Sequence, residues 1–277
     1  MSPLTRALLR AATWAALAFI YVPLAIIALY AFNERRTLVW PIPGLSLKWF
    51  GKAFDNPGVR DALLMSLKAG LGATALALVL GTLASLAVAR YRFFGRDTIS
   101  FLVVLPIALP GIVTGMALNA TFRTTLEPLG VGLGLFTIVV GHATFCIVVV
   151  YNNVIARLRR TSRSLEEASM DLGADTWQTF RFVTFPALRS ALFAGALLAF
   201  ALSFDEVIVT TFTAGADQTL PIWILTNLSR PNQLPIVNVV AVLVVLLSAI
   251  PVYLAQRLSQ DATGITAPAT AAAGARQ

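Results

Sequence analysis

Few side chains in this chain can do chemistry. Asp205 and Glu206 stand side by side inside an otherwise apolar stretch. His142 is the single histidine and Cys146 the single cysteine, and both fall in another uncharged stretch. A lone cysteine permits no disulfide within the chain and suggests no thiol–metal site. A lone histidine beside Gly141 and Thr144 is expected to bond a neighbouring helix rather than ligate a metal. No G-x-x-x-x-G-K-S/T sequence occurs, and Gly51-Lys52-Ala53 lacks both the spacing and the hydroxyl. ATP hydrolysis through a P-loop is therefore excluded. The remaining polar cluster is a loop from Arg157 to Arg189 that carries Glu166, Glu167, Asp171 and Asp175.

The elements that hold these residues are membrane-spanning helices. The 277 residues are 57% hydrophobic and 12% charged, with a mean hydropathy of +0.78. Soluble domains carry roughly 25% charged residues. Residues 11–33, 69–89, 98–122, 128–156, 190–204 and 231–256 contain no Lys, Arg, Asp or Glu. All but the fifth reach the ~20 residues needed to cross ~30 Å of hydrocarbon. The fifth is interrupted by Asp205-Glu206 and resumes from Val207 to Ala216. The reading is an all-α membrane protein with six transmembrane helices. The first run exceeds the roughly 7–15 residues of a signal-peptide core. The runs do not alternate, which excludes a β-barrel.

Basic residues orient the chain. Of 21 Lys and Arg, 13 fall at the N-terminus, in the second and fourth connections, and in the tail. Both termini are therefore expected in the cytoplasm. The net charge of +8 follows from this bias, and no nucleic-acid partner is implied. A single transmembrane domain is expected over residues 1–261, with a disordered cytoplasmic tail over 262–277.

Gly70, Gly72, Ala73, Ala77, Gly81 and Ala84 give the second helix (about Ala62 to Ala89) a small-residue face, which suits close helix packing. Trp40, Trp49 and Phe50 in the loop 33–61 suit a membrane–water boundary. The third helix contains Pro106, Pro110, Gly111 and Gly115. Each proline removes a backbone donor. Such a break is tolerated against protein or a water-filled cavity. Leu105 to Gly115, with Pro110 and Thr114, either lines a path through the membrane or is a packing kink.

An ion at mid-bilayer costs roughly 2.5–3.5 kcal/mol on insertion scales, so Asp205 and Glu206 need a reason. Counted from Pro186, Asp205 lies about 28 Å along a helix at ~1.5 Å per residue, toward the outer half. Adjacent residues point about 100° apart, so both can hardly face one partner. They either attract a cationic substrate along the path, pair with a partner helix, or are simply exposed at the outer rim.

In the loop, Ser164-Leu165-Glu166-Glu167 spells a capping box with Ser164 as N-cap. Leu165, Ala168 and Leu172 share one face of the helix that follows. Gly173 is expected to end it in left-handed geometry. Asp175-Thr176-Trp177-Gln178 spells a second capping box, and Pro186 stands where the fifth membrane helix is expected to begin. The product is a helix–Gly–helix bracket with an apolar stripe. A lipid-surface helix would carry a strongly basic polar face. Here Glu166, Glu167 and Asp171 are acidic, which favours a protein partner over anionic lipid.

The loop reads Glu167-Ala168-Ser169, three residues, Gly173, nine residues, then Val183-Thr184-Phe185-Pro186. It resembles the E-A-A-x-x-x-G to I-x-L-P loop of type I ABC importer permeases. Ser169, Val183 and Phe185 depart mildly from that pattern. Tyr30–Asn33, Gly44–Phe50, Leu105–Gly111 and Ser203–Val209 further resemble PotC-type permeases of spermidine/putrescine importers. The resemblance implies a coupling helix between membrane helices 4 and 5, held in a cleft of an ATPase subunit. Glu167, Ala168, Ser169, Leu172, Gly173, Ala174 and Pro186 would form that contact. It also implies a second homologous permease, two ATPase subunits, a periplasmic binding protein, polyamine substrates and the bacterial inner membrane. ATP and Mg²⁺ would bind the ATPase subunits, with no cofactor in this chain. Related permeases for γ-aminobutyrate, opines or aminophosphonates, an ion-driven secondary transporter and a membrane scaffold are the alternatives.

Overall fold

The structure, a computed structural model, describes residues 2–263. Among these the chain is helical, apart from loops and an isolated bridge between Asn33 and Leu45. The helices are α1 (Pro3–Ala31), α2 (Lys48–Asp55), α3 (Pro57–Arg90), α4 (Arg96–Ala108), α5 (Gly111–Thr125) and α6 (Leu135–Arg160). They continue with α7 (Ser164–Asp171), α8 (Thr176–Thr179), α9 (Phe185–Phe204), α10 (Ile208–Thr213), α11 (Leu220–Leu228) and α12 (Leu234–Thr263). The expected disordered tail lies outside the described residues from 264 onward.

Four stretches are long and apolar enough to cross a membrane: Pro3–Ala31, Pro57–Arg90, Leu135–Arg160 and Thr176–Phe204. A fifth appears if Arg96–Pro106 and Gly111–Leu129, bent by 101°, count as one broken span. The break follows from Pro110, which pushes the preceding residue out of helical space. Leu109 is accordingly extended, at φ −82° and ψ 141°. α12 runs over 30 residues, Leu234–Thr263, and its stretch Leu234–Ser248 is apolar. Among the described residues there are thus four candidate spans, or five, beside the six expected from apolar runs.

Cα packing divides the chain into two compact units. One comprises Met1–Met65 and Gln218–Leu247. Its α1 buries none of its apolar window, the condition of a helix meant for lipid or another chain. Trp49 does not anchor at a boundary as expected. It is buried, because Trp49 and Ala53 share the inner face of α2. Its indole Nε1 donates to Asn33 O at 2.8 Å. The Asn33 side chain in turn donates to Thr37 O and accepts from the Arg35 N–H. Trp40 remains exposed.

The other unit holds Ser66–Asp217 and the chain from Ser248. Its core joins α3, α6, α9 and α10 through Ala73, Ala77, Phe145, Val150, Leu188 and Val209. The small-residue face of α3 packs where the sequence placed it. A Cβ on Gly81 would lie 3.0 Å from Ile147 O and from Val150 Cβ, so a larger residue would have to push α6 away by a few tenths of an ångström. Ser85 donates to Gly81 O within its own helix at 2.7 Å and lies 3.1 Å from Tyr151 O across the same contact. This is the close backbone packing that small faces permit in membranes.

Candidate functional site

The loop after α6 folds as a bracket, and its turns follow from local sequence. α7 ends at Asp171, and Gly173 takes φ +89°. Its N–H donates to Met170 O at 2.9 Å, and the Ala174 N–H donates to Ser169 O at 3.1 Å. This is the Schellman pattern. Asp175 then caps α8, accepting from the Gln178 N–H at 2.8 Å, while the Gln178 side chain accepts from the Asp175 N–H at 3.0 Å. Both features were expected. The first capping box is not formed. α7 is already helical at Ser164, its N-cap is Arg163, and no side chain caps it. The Ser164 hydroxyl instead shares a hydrogen bond with Ser162 at 2.6 Å.

The second arm does not stop before the membrane helix. α9 opens at Phe185 with Pro186 in its first turn, as expected, while helix continues N-terminal to it, so that Thr176–Phe204 is one stretch long and apolar enough to cross a membrane. Phe180–Thr184 forms a π turn, closed by Phe185 N–H to Phe180 O. A wider turn here relieves the crowding that the Pro186 ring imposes on the carbonyl four residues back. Arg157 Nε also donates to Ala187 O at 2.9 Å, tying the end of α6 to the start of α9.

The expected coupling residues divide into two groups. Glu167, Ala168, Leu172, Gly173 and Pro186 are exposed. Ser169 and Ala174 are half-buried, and the Ser169 hydroxyl lies 3.2 Å from Thr179 Oγ1 inside the bracket. Glu167 pairs with Arg163 on its own helix at 3.2 Å. Leu165, Met170, Leu172, Trp177 and Phe182 are all exposed, with Leu172 at 90%. They form an exposed apolar patch on a polar loop, a common feature of interaction surfaces.

Sequence reasoning missed the role of Glu166. Its carboxylate receives a two-pronged contact from Arg90, with Nη2 2.9 Å from Oε1 and Nε 2.9 Å from Oε2. Thr184 Oγ1 also donates to Oε1 at 3.1 Å. Nothing in the local pattern singles out Glu166 over its neighbour, because Arg90 lies far away along the chain. Behind these residues a cleft of about 1110 Å³ opens between α3, α7, α8 and α9.

The acidic pair sits in a break, not in a helix. α9 ends at Phe204, Asp205 is its C-cap, and α10 begins at Ile208. The expected 100° divergence therefore does not apply. Asp205 is exposed. Glu206 turns inward, and its Oε1 accepts from the Val209 N–H at 2.9 Å at the start of α10. His142 straddles the break. Its Nδ1 lies 2.7 Å from Ser203 Oγ and its Nε2 2.9 Å from Thr210 Oγ1. Thr210 donates its own proton to Glu206 O at 2.7 Å. Nε2–H therefore donates to Thr210, and Nδ1 accepts from Ser203. The histidine bonds neighbouring helices, as its solitary position suggested.

Pro110 is the N-cap of α5, and Thr114 is half-buried one turn later, with its N–H on Pro110 O at 3.1 Å. A Cβ on Gly111 would lie 3.5 Å from Ile208 Cγ2. The two interrupted helices thus meet at their breaks. No group of three His, Cys, Asp or Glu that could hold a metal occurs among the described residues.

Comparison with known proteins places this arrangement. The putrescine transport system permease protein PotI of Escherichia coli (strain K12) is 33% identical over 231 residues, 82% of this chain and 81% of that protein. The spermidine/putrescine transport system permease protein PotC of Haemophilus influenzae is 31% identical over 245 residues, 88% of this chain and 93% of that protein. Among solved structures, a bacterial ABC transporter involved in import of the acidic polysaccharide alginate superposes with a TM-score of 0.69 at 17% identity, over 94% of this chain and 98% of that one. An inward-facing form of the MetNI methionine ABC transporter gives 0.57 at 20% identity, over 74% of this chain and 94% of that one. These two show a shared fold. The family described as the inner membrane component of binding-protein-dependent transport systems matches residues 69–263. With several apolar helices and that match over most of its length, the chain is a multi-pass membrane protein and belongs to the family of binding-protein-dependent transport system inner membrane components.

Proposed function

We propose that this chain is the membrane-spanning subunit of an ATP-binding-cassette importer that carries polyamines across the bacterial inner membrane. The observation that carries the reading is the bracket: an apolar, acid-flanked surface of Leu165, Leu172 and Trp177, rigidly turned by Gly173 and Asp175 and left uncovered by the chain itself. Its occupant is an ATPase subunit. The full assembly has a second homologous permease, two ATPase subunits that bind ATP and Mg²⁺, and a periplasmic binding protein. The chain does no covalent chemistry. It works as one permease domain over residues 1–261, with six crossings, both termini in the cytoplasm and α7 as the coupling helix. Polyamines are the substrates because the similar PotI and PotC are named for putrescine and spermidine transport.

The test is uptake of labelled putrescine into proteoliposomes holding the complete complex, with loaded binding protein outside and ATP inside. ATP-dependent accumulation is expected. Absence of accumulation, with ATPase activity that still responds to a different loaded binding protein, keeps the importer and discards polyamines. Accumulation without ATP discards the importer.

Asp205 is assigned to the substrate path, together with the neighbouring break at Pro110 and Thr114. Discontinuous membrane helices commonly mark such paths. An exposed carboxylate there attracts a cation, whereas Glu206 is committed to the start of α10. Asp205→Asn is expected to raise the apparent KM for putrescine about tenfold, in the range of a charge-assisted hydrogen bond. An unchanged KM together with an unchanged rate overturns the assignment.

A further inference from the structure

The exposed bracket poses a mechanical problem. α7 contains no buried residue. Apolar packing therefore does not hold it to the membrane helices. Its attachments are the covalent chain and a small set of polar links.

One of those links is unlike the rest. The Glu166 carboxylate joins three helix ends. Arg90 is the last residue of α3, Glu166 lies in the first turn of α7, and Thr184 is buried in the π turn that leads into α9. The Arg90 fork reaches both carboxylate oxygens, and the Thr184 hydroxyl occupies Oε1 as well. The Arg90 and Glu166 side chains are only 15% and 12% exposed. Screening by salt is weak for a pair so covered. Displacing α7 alone would strand a desolvated carboxylate against a desolvated guanidinium, which is strongly unfavourable. The neighbouring Glu167–Arg163 pair is the contrast. It spans i and i+4 of one segment and stays 60–65% exposed, so it connects α7 to nothing else.

We infer that Arg90, Glu166 and Thr184 form the linkage that carries movement of the bracket into α3 and α9. Glu166 and Arg90 act as positioning residues, through each other and through Thr184. A push on the outer face of α7 reaches α3 through the ion pair and α9 through the Thr184 hydroxyl. The two adjacent glutamates thus divide the work. Glu167 faces outward, and Glu166 faces inward.

This rests on the coupling role proposed above, so the experiment separates the two. The complete complex is reconstituted with Glu166→Gln, with Arg90→Gln, and with the exchange Arg90→Glu plus Glu166→Arg. Glu127→Gln, which breaks only the exposed Arg123–Glu127 pair, is the control. The readouts are ATPase subunits retained on purification, ATP hydrolysed and substrate accumulated. Gln preserves the shape of Glu166 and an acceptor for Thr184. Retained ATPase subunits and sustained hydrolysis are expected in both single variants, with substrate moved per ATP lower by about tenfold, the scale of a typical coupling between sites. The exchange is expected to recover part of that loss. An unchanged ratio of transport to hydrolysis in Glu166→Gln overturns the linkage. So does a loss of assembly, hydrolysis and transport in equal proportion, which marks a merely structural pair. A wild-type complex that does not couple transport to ATP overturns the proposed function instead.

Discussion

Leu172→Asp is expected to remove the ATPase subunits from the complex while leaving the permease folded. Leu172 is 90% exposed and closes α7 as its C-cap residue. An aspartate there meets water in the free chain, so the melting temperature of the isolated permease should not move. In the assembly it would place a carboxylate in the centre of an apolar contact. Truncating a central anchor typically costs at least ~2 kcal/mol, about 30-fold in affinity. A buried unpaired charge adds to that. Co-purification of ATPase subunits and ATP-driven uptake should both collapse. Retention of the ATPase subunits at wild-type stoichiometry would mean that the bracket is covered by something else.

Gly173→Val is expected to have a comparable effect through geometry alone. The residue takes φ +89°, and no atom lies within 4 Å of where its Cβ would be. Sterics from neighbours are therefore absent, and the penalty is that of left-handed backbone, roughly 1–2 kcal/mol for an L-residue. A β-branched side chain stands at the unfavourable end. The chain can relieve this only by leaving the left-handed region. Doing so breaks the Gly173–Met170 and Ala174–Ser169 hydrogen bonds and re-aims α8 with Trp177. Gly173→Asn is the discriminating partner, since asparagine tolerates left-handed φ. Uptake and the ATPase response to loaded binding protein should be largely kept in the asparagine variant and largely lost in the valine variant. Equal behaviour of the two would show that left-handed geometry at this turn does not matter.

The turns of the bracket were legible in the sequence because their causes are local. Gly173 and the Asp175–Gln178 box need only neighbours within a few residues to act. The small face of α3 was legible for a similar reason, since periodicity alone places Gly70, Ala73, Ala77 and Gly81 near one another. Spans were less so. Apolar content says how much lipid a segment tolerates, but Pro110 breaks the third run, and a π turn joins α8 to α9 in one helical stretch from Thr176 to Phe204. Ser164 shows the limit of a short pattern. S-x-x-E was present, yet the helix already includes Ser164, whose hydroxyl bonds Ser162.

By itself the sequence determined an all-helical membrane chain, the turns of a polar loop, and an acidic pair that interrupts a helix. Each follows from composition or from contacts within about one helical turn, which a linear pattern records. Tertiary structure alone decided which acid does what. Glu166 turns inward because Arg90, 76 residues away along the chain, meets it at the end of α3. Glu206 turns inward to the start of α10, and His142 pins the break beside it from a third helix. Two adjacent carboxylates look alike in sequence. Their difference is one of burial and of long-range partners, and those exist only once the helices are packed.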